Sequence, residues 1–393
     1  MSMKSKTESL KRIKVLHTIP DLSIKSGGPT SCVIELMNAM RGKDFNVDLL
    51  TLASDEYDGS PMKERGPWLK VLDNDKISPI GYSRNLCNNL YESDYDVYHT
   101  NGLWMYCNHI TAKVARTKDR PFVLTPHGML HPRALKRSFW KKWPVRKLWF
   151  DKDILSANCI HVTCKQEATY VRDFGYKGPI ALIANPVSIP NYVKVAENKP
   201  QGKKIIGFLG RLHPVKHVEN ILYGIAISSQ KIRESLLFQI MGTGDAQYER
   251  FLHAETKRLG LQDIVEFVGF VSGKEKYDRL RNFSALFVPS EFENFGMIVT
   301  EALICGTPVM ASLDTPWEIL NQERCGWWID KSPEAIAEVL IQIDNMTEKE
   351  IIEMGTRGRQ LVESNFSSDI IAQKMIDTYS WIINGGEKPY FIY

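Results

Sequence analysis

Short apolar runs alternate with stretches of helical periodicity along almost the whole chain, and this alternation restricts the fold more than any other sequence feature. The chain opens with an apolar run at 13–19, a Gly/Pro loop and an apolar-periodic stretch at 29–40. That order is typical of strand, loop and helix, with Pro29 near the first helical position. Further strands are predicted at 47–53, 96–100, 122–125, 159–163 and 180–184. Strands separated by helices form βαβ units and a parallel sheet.

The same alternation restarts in the second half of the chain. Residues 185–203 are rich in Pro, Asn and Lys and lack periodicity, which is typical of a linker, and we place the linker at 188–203. Strands follow at 205–209, 237–241, 264–268, 285–288 and 308–311, with helices between them, and the tail from Ser332 is mostly helical.

The sequence therefore predicts an α/β fold with two doubly wound, Rossmann-like domains. The N-terminal domain is expected at 1–187, the C-terminal domain at 204–375, and a final helix and tail at 376–393. In such sheets ligands bind outside the carboxyl ends of the strands. We expect the two domains to face each other and to line one cleft with those ends.

Composition and charge narrow the class of protein. The chain has no run of 18 apolar residues, no apolar leader in its first residues, and seven scattered cysteines without metal-ligand spacing. These features predict a cytoplasmic protein. Residues 1–200 carry 30 Lys/Arg and 20 Asp/Glu, whereas residues 201–393 carry 20 and 26. The basic half, at about +10, suits an anionic surface or substrate.

Two segments that follow predicted strands have residue types suited to a phosphate ligand. In the first, at 210–216, Arg211 and Lys216 are two cations five residues apart on a strand-to-helix turn, which suits a diphosphate clamped from two sides. In the second, at 241–245, the sequence MGTGD forms a tight turn without Cβ atoms that lets a ligand approach the backbone. Solvated charges explain the first segment and a plain turn explains the second equally well.

The strongest segment is 289–302, PSEFENFGMIVTEA. Its loop carries Glu293, and Gly296 opens a helix whose free N–H groups can bind phosphate. Glu301 lies one turn into that helix, where a carboxylate can accept two hydrogen bonds from a ribose diol. Glu291 lies in the same loop and is expected to be merely solvated.

Taken together, these segments resemble retaining glycosyltransferases of family GT4, which have the GT-B fold. The order Arg211, Lys216, Glu293 and Glu301, followed by CGTPV at 305–309, follows that family's pattern. The segments TPW at 315–317 and CGWW at 325–328 resemble a subgroup that assembles polysaccharides. The resemblance implies transfer of a sugar from a UDP- or GDP-linked donor to an acceptor hydroxyl, without a metal or other cofactor.

The resemblance also implies roles for individual residues. Arg211 and Lys216 would hold the donor diphosphate and stabilise the leaving group, and Glu301 would bind the ribose hydroxyls. Glu293 would contact hydroxyls of the donor sugar, and the nucleobase would pack near 268–270. Backbone amides for sugar and phosphate would come from the loop and helix start, at Phe295, Gly296, Met297 and Ile298.

In the first half the resemblance rests on two loops. His127 ends a predicted strand between Pro126 and Gly128, where the family's histidine contacts the donor sugar, so His127 is predicted to be catalytic with Glu293, Arg211 and Lys216. Gly28 belongs to the family's first Gly loop, whose amides would approach the donor diphosphate, although a bare turn before the first helix explains this glycine too. Asn101 stands where the subgroup usually has a second histidine, so no acceptor role is transferred to this position.

The segment 133–150 is strongly basic and aromatic. It holds seven Lys/Arg, five aromatic residues and no acid. It is predicted to contact anionic lipid headgroups and a lipid-linked or growing glycan acceptor, which gives a peripheral location at the inner membrane face. A cationic helix packed on its own domain is the alternative, and no nucleic-acid-binding motif accompanies the segment.

Two other functions fit the same fold. A nucleotide-sugar epimerase would convert the sugar nucleotide without an acceptor. A catalytically silent nucleotide-sugar-binding scaffold would not need Glu293, Glu301, Arg211 and Lys216 together. The sequence does not identify the sugar, the base, the acceptor or the oligomeric state.

Overall fold

The structure is a computed structural model that describes residues 12–23, 28–43, 45–53, 66–73, 80–136 and 139–393. The chain forms two compact units. The first unit contains Met1–Pro186 and Ser368–Tyr393, and the second contains Val187–Ser367. Each unit is built around its own parallel sheet.

The described part of the first unit has a seven-stranded sheet in the order β3-β2-β1-β4-β5-β6-β7, with all neighbours parallel. The order reverses between β1 and β4, which is the topological switch point of a doubly wound sheet. The strands are β1 Lys14–Ile19, β2 Asn46–Leu52, β3 Leu69–Leu72, β4 Val97–Asn101, β5 Phe122–Thr125, β6 Cys159–Val162 and β7 Ile180–Leu182.

Helices cover both faces of this sheet, because side chains along each strand alternate between the faces. Val15 and Ile19 pack among residues of the first and last helices, whereas Leu16 packs in the core on the opposite face. The helices are α1 Gly28–Arg41, α2 Arg84–Glu92, α3 Tyr106–Thr117, α4 Pro132–Lys136, α5 Phe139–Val145, α6 Asp151–Leu155, α7 Lys165–Asp173 and α16 Ser368–Asn384, with a π-helical turn at Arg146–Phe150.

The C-terminal segment is part of the first unit. Helix α16 buries Ile371, Met375 and Tyr379 against the sheet. The last residues then run antiparallel along β7, where the N–H of Ile180 donates to the carbonyl of Tyr393 at 2.8 Å. Residues 391–393 therefore cover the edge strand β7.

The second unit repeats the architecture with six parallel strands in the order β10-β9-β8-β11-β12-β13. Its switch point lies between β8 and β11. The strands are β8 Lys204–Leu209, β9 Leu236–Met241, β10 Val265–Gly269, β11 Ala285–Val288, β12 Val309–Ser312 and β13 Gly326–Ile329. The helices are α8 Val218–Ile227, α9 Gln230–Ser235, α10 Ala246–Arg258, α11 Gly273–Asn282, α12 Met297–Ile304, α13 Ile319–Gln322, α14 Pro333–Asn345 and α15 Glu348–Asn365.

The prediction of two Rossmann-like α/β domains is confirmed, with strand bounds mostly within one or two residues. Strands β3 and β13 were not predicted, and the helix expected from Val215 begins at Val218 after a short 3₁₀ turn. The segment predicted as linker packs within the second unit, where the Lys199 amine donates to the carbonyl of Arg281 at 2.9 Å. Residues 368–375, predicted in the second domain, belong to the first unit.

Candidate functional site

In the second unit, residues from two loops meet at the switch point of the sheet. Lys216 ends the 3₁₀ turn after β8, and Glu293 lies in the loop after β11. The Lys216 amine donates to Glu293 Oε1, which also accepts from the Ser290 hydroxyl at 2.9 Å. The two charged side chains are 21% and 14% exposed, so the ion pair is partly shielded from water. Arg211, in the same loop as Lys216, is exposed.

Glu291 is not merely solvated, and that expectation is wrong. Its backbone N–H donates to the carbonyl of Val215 at 2.9 Å, which ties the two loops together. Its carboxylate is half-buried, and Oε2 lies 3.7 Å from His217 Nε2. His217 has a φ of 49° and directly precedes α8, and its ring faces Glu291 in the loop after β11.

The start of helix α12 is held by a buried tryptophan. Gly296 has a φ of 80°, a conformation that favours glycine. The indole N–H of Trp317 donates to the carbonyl of Phe295 at 2.5 Å, and the two rings are 5.2 Å apart. The Phe295 ring is therefore buried, while Gly296, Met297 and Ile298 remain half-buried at the helix N-terminus. Only the backbone of Phe295 is suited to a ligand.

Glu301, just over one turn into α12, pairs with a lysine that the sequence analysis did not select. The amine of Lys276, on α11, lies 2.7 Å from Glu301 Oε1, and the side chains are 19% and 23% exposed. Helix α11 follows β10, so its lysine reaches α12 only through the packing of the two helices. The sequence did not single out Lys276, because it is one of six charged residues on α11.

The two glycines of the MGTGD turn are required by the protein's own backbone. A Cβ atom on Gly242 would lie 2.0 Å from the carbonyl oxygen of Gly210, and one on Gly244 would lie 2.1 Å from that of Leu212. Hydrogen bonds join the same loops, including that from the Leu212 N–H to the Thr243 carbonyl at 3.1 Å. The turn therefore supports the loop that carries Arg211.

Phe270 lies just beyond the end of β10, at the position predicted for the nucleobase. Its side chain is 72% exposed, which is unusual for phenylalanine. An exposed aromatic ring offers a surface on which a base can stack.

In the first unit, His127 and Asn101 come together at the carboxyl ends of β5 and β4. His127 Nε2 and Asn101 Oδ1 are 3.2 Å apart. His127 has a φ of 51°, and the next residue, Gly128, donates its N–H to Glu167 Oε1 at 2.5 Å. Glu167 is buried and also accepts from the N–H of Thr163 at 2.9 Å. The left-handed backbone conformation of His127 is thus held by the hydrogen bond of the next residue, and its ring is held by Asn101.

Gly28 is the first residue of α1, after the switch-point strand β1. A Cβ atom at this position would meet nothing within 4 Å, so packing within the described residues does not require a glycine. The neighbouring Gly27, part of the same predicted loop, lies outside the described residues.

The basic segment at 133–150 forms α4, α5 and the π-helical turn. Phe150 is buried in the core, whereas Trp140, Trp143 and Leu148 are 86%, 51% and 69% exposed. Arg137, Ser138 and the side chains of Phe139 and Lys141 lie outside the described part. None of the helices in the described part of the chain combines the length and apolar composition that crossing a bilayer requires.

Two family models match consecutive parts of the chain. The model described as Glycosyltransferase Family 4 matches residues 26–189, and the one described as Glycosyl transferases group 1 matches residues 193–360. The chain belongs to glycosyltransferase family 4. The family's two matched modules correspond to the two units of the structure.

Curated relatives are similar over part of their length. A D-inositol 3-phosphate glycosyltransferase of Streptomyces bingchenggensis is 26% identical over 237 residues, covering 56% of this chain and 51% of the relative. An uncharacterized glycosyltransferase of Methanocaldococcus jannaschii is 31% identical over 137 residues, 34% of each chain. The matched region thus spans about half or less of these relatives.

Solved structures match over almost the whole chain and show the GT-B fold. HepE of Anabaena, in complex with UDP and glucose, matches with a TM-score of 0.73 at 17% identity, covering 94% of this chain and 100% of HepE. Sucrose-phosphate synthase of Thermosynechococcus elongatus matches with a TM-score of 0.74 at 21% identity, covering 95% and 100%.

Proposed function

We propose that this protein is a retaining glycosyltransferase that moves a sugar from a nucleoside diphosphate sugar to an acceptor hydroxyl. The observation that carries the proposal is the pairing of Lys216 with Glu293 at the switch point of the second sheet, beside the N-terminus of α12. Cations and free N–H groups suit a diphosphate, and carboxylates suit sugar and ribose hydroxyls. The family's pattern and the UDP in the HepE complex support the same donor class.

In this mechanism the protein supplies position and charge rather than a covalent nucleophile. The bond from the anomeric carbon to the donor phosphate oxygen breaks, and the acceptor oxygen bonds to that carbon on the same face. The acceptor proton passes to the leaving phosphate oxygen. Lys216 and Arg211 stabilise the negative charge that develops there, Glu301 holds the ribose, and Glu293 and His127 bind sugar hydroxyls. No residue of this scheme needs a metal.

The test begins with calorimetric titration of the protein with UDP and with GDP. We expect one of them to bind, and we expect Glu301→Ala to lose that binding. The sugar nucleotides of the binding base are then screened with and without glycan and lipid-linked acceptors. A product with the donor's anomeric configuration supports the proposal. Conversion of the sugar nucleotide without an acceptor would favour the epimerase. Binding of the sugar nucleotide without conversion would favour the scaffold. If neither nucleotide binds, the proposed donor site is overturned.

We propose further that the acceptor is a lipid-linked or growing glycan and that 133–150 contacts an anionic membrane surface. Trp140, Trp143 and Leu148 fall at helical spacing i, i+3 and i+8, so their exposed side chains share one side, and the exposed Lys147 lies beside Leu148. Exposed tryptophans with basic neighbours suit a headgroup layer.

Co-sedimentation with vesicles tests this surface. We expect binding to phosphatidylglycerol vesicles and not to phosphatidylcholine vesicles, and we expect the double substitution Trp140→Ala, Trp143→Ala to abolish it. Tyr390→Ala, which removes another exposed aromatic ring of the same unit (87% exposed), is the matched control. Equal binding of the double variant and the wild type would refute the membrane contact.

A further inference from the structure

A continuous chain of buried polar side chains crosses the sheet of the first unit. Its members come from four neighbouring strands, β1, β4, β5 and β6, and from the C-terminal helix α16. They are 0–5% exposed and lie within an otherwise apolar core. A polar group left without a partner in such a core is destabilising, so the hydrogen bonds that join these side chains are informative. The members are His17 on β1, His99 on β4, Thr125 on β5, His161 on β6 and Tyr379 on α16.

Each member is within hydrogen-bond distance of the next. The Tyr379 hydroxyl lies 2.7 Å from His17 Nε2 and 2.6 Å from His99 Nδ1. His99 Nε2 lies 2.6 Å from Thr125 Oγ1, which lies 2.9 Å from His161 Nδ1. The rings of His17 and His99, which are cross-strand partners, have centroids 4.2 Å apart.

The proton positions follow from one end of the chain. His161 Nε2 lies 2.8 Å from the carbonyl oxygen of Ile183, which can only accept. His161 Nε2 therefore carries the proton, and in the neutral ring Nδ1 accepts from the Thr125 hydroxyl. Because Thr125 has one proton, His99 Nε2 must donate to it. His99 Nδ1 then accepts from the Tyr379 hydroxyl.

The same logic continues to His127. The single hydroxyl proton of Tyr379 is already donated to His99 Nδ1. The tyrosine oxygen therefore accepts from His17 Nε2, and His17 Nδ1 is left as an acceptor. Its donor is the Asn101 amide nitrogen at 3.3 Å, which also donates to the carbonyl of Thr18 at 3.2 Å. The amide oxygen of Asn101 is left to accept, and the His127 Nε2 at 3.2 Å is its donor.

Burial keeps these rings neutral. Desolvation lowers the pKa of His17 and of His127 to about 3 and that of His161 to about 4, and it lowers the pKa of His99 well below its usual value. Neighbouring imidazoles add to the effect at three of these positions. Burial also raises the pKa of Tyr379 well above its usual value, so its hydroxyl keeps its proton.

We propose that this chain, with Tyr379 at its centre, is a positioning device that fixes His127 as the neutral Nε2–H tautomer, so that its Nδ1 accepts a hydrogen bond from a substrate hydroxyl. Nδ1 of His127 has no hydrogen-bond partner within the described ranges, and the residue is half-buried. With Gly128 held by Glu167, backbone and ring are both fixed before any ligand arrives. The substrate part rests on the proposed function, whereas the tautomer does not.

The first experiment measures the tautomer directly, by long-range ¹H–¹⁵N correlation of the histidine rings in the ¹⁵N-His-labelled full chain at pH 7, with His127→Asn for assignment. We expect His127 to be neutral with the proton on Nε2. Tyr379→Phe removes the hydroxyl that joins His17 to His99, and we expect it to give His127 a mixture of tautomers. A proton on Nδ1 in the wild type, or an unchanged His127 in Tyr379→Phe, would overturn the proposal.

A second variant reverses the polarity of the link without changing its shape. In Asn101→Asp a carboxylate oxygen replaces the amide nitrogen that faces His17 Nδ1. His17 Nδ1 then has no amide proton to accept. We expect the pKa of His127 to rise into the range that NMR titration detects above pH 5. If His127 stays neutral down to pH 5 in this variant, the result would contradict the proposed hydrogen-bonded chain of side chains.

Kinetics separates the positioning role from a structural one. We expect Tyr379→Phe to lower kcat/KM for transfer roughly tenfold to a hundredfold, as misplaced catalytic groups do, while the affinity for the free nucleotide is unchanged. Tyr176→Phe is the matched control, because Tyr176 is equally buried and its hydroxyl donates to the carbonyl of Ala157 at 3.0 Å, outside the chain. Equal losses in both variants would make the role structural. If the wild type transfers no sugar, the proposed function fails, and the NMR result still decides the tautomer.

Discussion

The two units share one architecture but place very different electrostatics at the switch points of their sheets. In the second unit the site consists of formal charges that are 14–23% exposed, in the pairs Lys216–Glu293 and Lys276–Glu301. In the first unit, His127 ends a chain of neutral groups that are almost completely buried and joined only by hydrogen bonds.

This difference between charged pairs and a buried neutral network indicates how each unit can respond to a ligand. Ion pairs that water still reaches contribute little net stability, so an incoming diphosphate can replace one partner of such a pair at small cost. A buried network cannot readily exchange partners, because a group that loses its hydrogen bond there has no water to replace it. The second unit is therefore suited to bind and release a charged molecule, and the first to hold one ring in one state.

The largest expected effect is on the stability of the first unit in acid. His17, His99 and His161 have lowered pKa values in the folded protein, so below pH 6.5 the unfolded chain binds protons that the folded chain does not. Stability therefore falls as the pH falls from 6.5 towards 4. His17 and His161 together lower the free energy of unfolding of the first unit by about 3 kcal/mol at pH 5.5 relative to pH 7.5, and His99 acts in the same direction.

Amide hydrogen exchange measures this loss in each unit separately. Protection of β1 and β4 should fall between pH 7.5 and 5.5, after correction for intrinsic exchange, by much more than that of β8 and β11. Equal losses in the two units would show that the buried histidines do not control the acid response.

The next largest effect is expected for Glu293→Gln. The substitution keeps the shape of the side chain and removes the charge that Lys216 contacts. We expect transfer to fall about a hundredfold, a typical loss when one preorganised group at a reacting centre is removed, with little change in nucleotide affinity. Glu291→Gln, in the same loop but facing His217, is the matched control. Unchanged transfer in Glu293→Gln would remove this residue from the mechanism.

A smaller effect is expected for Lys276→Met. Without the lysine, Glu301 loses the partner that fixes its carboxylate, and we expect the nucleotide to bind about tenfold more weakly, or 1.4 kcal/mol. Calorimetry provides the measurement. Lys274→Met, on the same helix but 67% exposed and paired with Asp278, should bind like the wild type. If both variants bind the nucleotide with similar affinity, nucleotide binding by Glu301 does not depend on Lys276.

The smallest effect is expected for Gly28→Ala. A Cβ atom there meets nothing within 4 Å, so the free energy of unfolding should change by less than about 0.5 kcal/mol. Transfer should nevertheless fall if a donor diphosphate approaches the backbone at this turn. Gly244→Ala, which would place a Cβ atom 2.1 Å from the carbonyl oxygen of Leu212, should instead destabilise the second unit in denaturant melts. An unaltered transfer rate for Gly28→Ala would show that this glycine only forms the turn before the first helix.

Much of the second unit's site could be predicted from the sequence, because its residues lie close together along the chain. Glu293, Gly296 and Glu301 occupy one loop and the helix that follows it, so their spacing alone indicates where they stand. Lys276 was missed because its partner, Glu301, is 25 residues away on another helix. Trp317 was noticed only as a subgroup feature, and its hydrogen bond to the Phe295 carbonyl depends on packing.

The sequence by itself determined the alternation of strands and helices, the two sheets and the loops that end their strands, because periodicity and turn residues act over short distances. Only the tertiary structure decided that Tyr379 joins His17 to His99, across 362 and 280 residues. It also decided that 188–203 packs on the second unit and that the last helix belongs to the first. Burial sets the charge of a histidine and the partners of a hydroxyl, and burial is a property of packed surfaces rather than of neighbours in the chain.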